Sequence, residues 1–169
     1  MSERELILYA WPMGPLADAA QRYFDEATDR LGPTIAQSYP VHCTLTGFFR
    51  RADHRVGEVL AALGSAVDAF GEPDDVAVER LGARDGWVGL ELRSRQLLEI
   101  IETVTTTDRP EHGEDALRPK DWLHVSLAYG VADLQPYEAL AHEIIDPSLP
   151  ATWCVGFWER LPDGNWIRR

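Results

Sequence analysis

Residues 5–11 form a short apolar run closed by Pro12, the pattern of a buried strand. Over 16–31 the apolar positions Leu16, Ala20, Tyr23, Phe24, Ala27 and Leu31 recur at three- and four-residue steps, which predicts an amphipathic helix stopped by Gly32-Pro33. Residues 41–49, rich in β-branched and aromatic side chains, read as a second strand. Helical spacing returns at Val56, Val59, Leu60, Leu63, Val67 and Phe70 and ends at Gly71. Segments 76–81 and 87–92 alternate as two strands of a hairpin joined through the turn-forming residues 82–86. A third helix is predicted over 94–104 with Ser94 as its N-cap, then a loop over 108–121 rich in Pro, Gly and charge. Residues 122–129 form another strand, 134–145 a fourth helix, and 152–160 with 166–168 a closing hairpin. The order of these elements predicts an α+β fold made by duplication, each half carrying one strand with a histidine motif.

Those two strands carry the chemistry. One contains His42-Cys43-Thr44-Leu45 and the other His124-Val125-Ser126-Leu127. Side chains alternate along a strand, so His42, Thr44, Thr46 and Phe48 are expected on one face and Val41, Cys43, Leu45 and Phe49 on the other. His124 and Ser126 share a face in the same way, with Leu123, Val125 and Leu127 opposite. Imidazole and hydroxyl groups backed by a wholly apolar face point to a lined cleft. Two imidazoles converging there can supply one neutral base and one protonated acid near neutrality, the requirement for in-line displacement at phosphorus. Thr44 and Ser126 would donate hydrogen bonds to the non-bridging oxygens as charge builds on them. Of the five histidines, His54, His112 and His142 lack a hydroxyl residue two places on.

Composition narrows the candidate substrates. A length of 169 residues, with 45% hydrophobic and 26% charged positions, is that of one globular domain, taken here as 1–169 with two lobes. A formal net charge of −12 disfavours a long nucleic-acid footprint and favours a small nucleotide or an RNA end. No signal-like start or membrane-length apolar run is visible, so a cytoplasmic location and no membrane partner are expected. Cys43 and Cys154 form no metal-type pair and are read as reduced packing residues, with no metal and no cofactor expected. No coiled-coil seam is visible, and a monomer is expected. No dinucleotide fingerprint, Walker-type loop, zincin helix or serine elbow occurs.

The paired His-x-Ser/Thr motifs resemble those of the 2H phosphoesterase superfamily, and the resemblance spans nearly the whole chain. It implies a bilobal α+β fold of pseudo-twofold, duplicated antiparallel sheets with helices outside and a central cleft. It also implies metal-independent opening of cyclic phosphates, with His42 and His124 as acid and base and Thr44 and Ser126 as phosphate binders. The opening YAWP, the VTTT at 104–107 and HVSLAYG are most similar to the small cyclic phosphodiesterases, which act on ADP-ribose 1″,2″-cyclic phosphate and nucleoside 2′,3′-cyclic phosphates. The chain departs from them in lacking their disulfide cysteines and in the neighbours of the first motif. The family's substrate-lining tyrosine corresponds to Tyr129, which faces the cleft only if the strand ends or bulges before it. The alternatives are a 2H enzyme for 2′,5′-linked or cyclic-oligonucleotide diesters, or a non-catalytic nucleotide-binding module.

Several further residues are singled out. Trp11, Phe48 and Trp122 are candidates for contact with a nucleobase, whereas Tyr9 is read as core. Arg50 and Arg51 follow the first motif and are read as solvated surface. Arg109, Arg118 and Lys120 belong to the long loop and are read as exposed.

Overall fold

The computed structural model describes residues 3–169. The fold is α+β: eight strands form one antiparallel sheet and four α-helices accompany it. In chain order the strands are β1 (Glu3–Met13), β2 (Cys43–Thr44), β3 (Phe49–Ala52), β4 (Ala77–Arg84), β5 (Trp87–Arg93), β6 (His124–Tyr129), β7 (Thr152–Arg160) and β8 (Trp166–Arg168). The helices are α1 (Pro15–Leu31), α2 (Val56–Asp68), α3 (Arg95–Thr107) and α4 (Gln135–Ile144). Strand order is β4-β5-β6-β2-β1-β7-β8, with β3 pairing β1 beyond β2. The two sheet halves are therefore one surface, joined where β2 meets β6 at the single pair Cys43↔Val125.

Alternation in β1 explains why the sheet has two different faces. Leu6, Leu8 and Ala10 are fully buried in the main core with α1, α2, α3 and α4. Ile7, Tyr9 and Trp11 point the other way and form a second apolar layer with Phe48, Cys154, Trp158 and Trp166. Helix α1 packs on β1 and β6, α4 on β4 and β5, and α2 on β7, so helical cover spans the seam between the halves. Pairing of α1 with α4 is tied by Tyr137, whose hydroxyl lies 3.0 Å from the carbonyls of both Leu31 and Gly32 at the end of α1. Among the described residues no helix is long and apolar enough to cross a membrane.

The predicted strand over 41–49 is broken in two. Leu45 and Thr46 both direct their backbone N–H to the carbonyl of Leu8, at 3.0 and 3.4 Å. The Thr46 hydroxyl in turn accepts from the Leu8 N–H at 3.2 Å. This bulge shifts the register against β1 by two residues, from Tyr9↔Thr44 to Leu6↔Phe49. Thr46 is consequently buried and does not share the face of His42.

The hairpin turn is also tighter than the predicted 82–86 stretch. Strands β4 and β5 run to Arg84 and Trp87, leaving Asp85 and Gly86 with φ of 46° and 78°. Two consecutive positive φ values define the type I′ turn that matches strand twist, and Asp-Gly is its favoured sequence.

Candidate active site

The β2–β6 pair brings the two motifs onto one face. Cys43 is opposite Val125, so continuing the antiparallel register sets His42 across from Ser126 and Thr44 across from His124. The histidines lie on one diagonal of this quartet and the hydroxyls on the other. A local two-fold relation thus passes between Cys43 and Val125, whose side chains, with those of Leu45 and Leu127, are buried on the helical face. Directly opposed residues on one face have Cβ atoms about 5 Å apart, close enough for all four side chains to address one small group.

Each imidazole is oriented by its own chain. Nδ1 of His42 is 2.6 Å from the carbonyl oxygen of Pro40, and Nδ1 of His124 is 3.0 Å from that of Trp122. A carbonyl can only accept, so Nδ1 carries the hydrogen in both rings and Nε2 is left as the basic nitrogen. Nε2 of His42 lies 3.1 Å from the Thr44 hydroxyl. The Ser126 hydroxyl accepts from the Trp87 indole N–H at 2.9 Å, which leaves its own hydrogen free to donate to a ligand.

Aromatic rings back both histidines. Tyr9 lies against His42 with centroids 3.8 Å apart, and Trp122 stacks on His124 at 3.8 Å and 26°. Trp87 meets His124 edge-on at 5.3 Å, while the Arg84 guanidinium covers the Trp122 ring at 4.8 Å. Trp87 reaches this position because Gly89 has no side chain: a Cβ there would fall 2.1 Å from the Val125 carbonyl and 2.3 Å from the indole. Burial lowers His42 from 6.5 to about 4, against the bond to Pro40, with a further contribution from His124. Burial also lowers His124; its bond to Trp122 opposes this, and Lys120 and Arg84 add to the lowering. The Tyr9 hydroxyl is raised, chiefly by burial, and the Cys43 thiol is pushed up to about 12 by the same cause.

The depressed His42 makes stability depend on pH. Folding favours its neutral form, so stability is full above the unfolded value of 6.5 and is lost as pH falls toward about 4. The complete loss is about 3 kcal/mol at roughly 1.4 kcal/mol per unit. Urea denaturation at pH 7.5 and 4.5 is expected to show wild type losing about 2 kcal/mol more than His42→Asn. An equal loss in both would place the acid sensitivity elsewhere.

The quartet opens into a cleft of about 780 Å³, within the range of small-ligand sites. Phe48, Trp122 and Tyr129 line it together with His42, Thr44, His124 and Ser126. Tyr129 reaches the cleft through a bulge: pairing with β5 slips between Val88↔Ala128 and Gly89↔Ser126, so Leu127 and Ala128 are both buried and the alternation resets. Trp11 is not among the lining residues. It packs edge-on against Trp158 at 5.5 Å, under the Arg168 guanidinium. Tyr9 is 1% exposed, as expected of core, yet its ring also forms part of the cleft floor beside His42.

The loop over 108–121 is a strap held across the motif strand. Gly47 N–H donates to the Arg118 carbonyl at 2.8 Å, Lys120 N–H to that of Leu45 at 3.0 Å, and Thr46 bridges to Pro119. This sets Arg118 and Lys120 on the cleft wall. The strap's root is fixed by Arg51, which is fully buried instead of solvated: it holds both Asp108 carboxylate oxygens at 2.9 and 2.8 Å and the Asp115 carbonyl at 2.7 Å. Arg50 is exposed, and Arg109 bonds the Thr106 and Asp108 carbonyls at the end of α3, away from the cleft lining. Sequence patterns did not single out Trp87 or Tyr39 as lining residues. The first needs the β5–β6 register to be seen, and the second lies in the irregular segment before β2. Among the described residues no group of three or more His, Cys, Asp or Glu side chains stands together as a metal site.

No protein-family model matches the chain. It is similar to ubiquitin-associated and SH3 domain-containing protein B of Mus musculus and of Homo sapiens, 28% identical over 166 residues in each case, covering 93% of this chain. It is also 23% identical over 172 residues, 94% of this chain, to ecdysteroid-phosphate phosphatase of Bombyx mori. The chain spans 25% of the length of each of these relatives.

Proposed function

We propose that the chain is a 2H-type phosphoesterase that opens a nucleoside 2′,3′-cyclic phosphate or ADP-ribose 1″,2″-cyclic phosphate to a monophosphate. The observation that carries this reading is the diagonal quartet. Two imidazoles with Nδ1 pinned and Nε2 basic share one strand face with two hydroxyls, on the floor of a cleft. Similarity to a protein named ecdysteroid-phosphate phosphatase is in keeping with a phosphate-ester substrate, although that protein is four times as long as the shared region.

In this mechanism the cyclic phosphate sits over Cys43–Val125 with its non-bridging oxygens toward the Ser126 hydroxyl and the Thr44 hydroxyl, which turns from Nε2 of His42 to the phosphate and so frees that nitrogen. Nε2 of His42, the more strongly depressed of the two, takes a proton from water as the water oxygen attacks phosphorus. Nε2–H of protonated His124 gives its proton to the ester oxygen that departs on the far side. One P–O bond forms and one breaks, and exchange with solvent returns each histidine to its starting state. Donation from Ser126 strengthens as charge grows on the phosphoryl oxygens, the condition for transition-state rather than ground-state binding.

The test is hydrolysis of 2′,3′-cyclic AMP and of ADP-ribose 1″,2″-cyclic phosphate in the presence of EDTA. Turnover of at least one, unchanged by the chelator, is expected. Loss of turnover on chelation, or nucleotide binding without any turnover, would overturn the reading and favour a metal-dependent enzyme or a binding module respectively.

A further inference from the structure

In a chain of net charge −12, most arginines find carboxylates, as Arg4, Arg30, Arg51, Arg55 and Arg169 do. Arg118 lines the cleft, and among the described residues it has no carboxylate within ion-pair distance. It is nonetheless fixed. Its Nη2 donates to the Phe48 carbonyl at 3.0 Å, and the guanidinium lies over Gly47, where an added Cβ would come within 3.1 Å of Nε. The backbone beneath is held by the Gly47 N–H bond to the Arg118 carbonyl and by the Thr46–Pro119 bridge. A guanidinium has five N–H donors in a planar fork, and beyond the Phe48 bond those of Arg118 have no acceptor among the described residues. Arg118 is exposed, held at one nitrogen and left with spare donors on a cleft wall, a placement suited to an anion.

Lys120, two residues further along the strap, donates its backbone N–H to the Leu45 carbonyl, next to Thr44 of the quartet, whereas Arg118 is anchored at Gly47 and Phe48, beyond the Leu45–Thr46 bulge. Arg118 instead stands beside Phe48, whose ring tilts against Trp166 at 5.8 Å; Tyr39 meets the same indole at 5.5 Å. Phe48 and Tyr39 line the cleft and Trp166 packs against both, which sets aromatic faces on the wall where a planar base can lie.

We propose that Arg118 is a specificity residue that binds a second phosphate of the substrate. The preferred substrate is then a nucleoside cyclic phosphate that also carries a phosphate at its 5′ side, with its base on the Phe48–Tyr39 wall. This rests on the phosphoesterase reading for the chemistry at the histidines, but the recognition can be measured without turnover. Adenosine 2′,5′-bisphosphate is expected to bind the full chain about tenfold or more tighter than adenosine 2′-monophosphate by calorimetry. In Arg118→Gln the two should bind alike. Gly47→Ala, which displaces the guanidinium but keeps its charge, should reduce the difference severalfold.

The kinetic counterpart is the ratio of kcat/KM for adenosine 2′,3′-cyclic phosphate with and without a 5′-phosphate, which should collapse toward one in Arg118→Gln. A dinucleotide ending in a 2′,3′-cyclic phosphate tells an RNA end from a free nucleotide, since its linking phosphate offers one negative charge where a terminal one offers nearly two. A binding difference that depends on Arg118 without any turnover would uphold this inference and sink the hydrolase reading. Turnover with no such difference, or a difference that survives Arg118→Gln, would do the reverse.

Discussion

His42→Asn and His124→Asn are each expected to lower kcat/KM for the cyclic phosphate by about 10²- to 10⁴-fold, the usual contribution of one general acid or base. The double variant should fall by much less than the product of the two, because acid and base act in a single step. The stronger test is the pH profile. Under the proposed mechanism the productive free state has His42 neutral and His124 protonated. Burial sets the first at about 4 and holds the second below 6.5. The kcat/KM profile is therefore expected to be a bell lying on the acid side of neutrality. His42→Asn should erase its acid limb and His124→Asn its alkaline limb. Bound phosphate favours both imidazolium forms, so the kcat profile should lie at higher pH than that of kcat/KM. If both variants kept a full bell, the titrating groups would be others and the assignment would fail.

Replacing Arg51 with Met is expected to cost about 3–5 kcal/mol of stability, the usual result of stranding a buried carboxylate without its cation. The side chain is fully buried, it holds the nearly buried Asp108 by two oxygens, and its Nε stands 3.6 Å from Glu114. Removing it leaves Asp108 without a cation beside the Phe49 ring, which the guanidinium covers at 4.8 Å, while Glu114 keeps Arg55. Arg51→Lys should recover little, since an ammonium cannot make the same fork. Arg51→Met combined with Asp108→Asn should be less damaging than the single change, because one stranded charge is gone. Chemical denaturation reads all three. A loss below about 1 kcal/mol in the single variant would mean that the cluster behaves as an exposed surface pair.

Much of this architecture is legible in the sequence, and the rest is hidden for identifiable reasons. Helical spacing and turn residues located α1, α2, α3 and α4 to within a few positions, and Ser94 does cap α3, accepting from the Leu97 N–H at 3.0 Å. The cleft face of His42, Thr44, His124 and Ser126 follows from period-two alternation alone. Alternation fails where the partner strand decides. The bulge at Leu45–Thr46 buries Thr46, and the slip at Leu127–Ala128 brings Tyr129 into the cleft; both are set by hydrogen bonds to distant segments. Arg51 has the sequence context of a surface residue because its partner, Asp108, is 57 positions away. Trp11 lies near a strand end, as expected, but its ring turns over the neighbouring β7, against Gly156 and Trp158.

Each motif imidazole is oriented through Nδ1 by a carbonyl only two positions earlier in the chain, Pro40 for His42 and Trp122 for His124. Orientation of the two imidazoles is thus encoded in two three-residue words, with no long-range contact in the Nδ1 bond itself. The cleft walls are assembled differently, from the strap, the β4–β5 hairpin and the segment before β2. Such a division lets the walls be rewritten for a new ligand while the two imidazoles keep their aim.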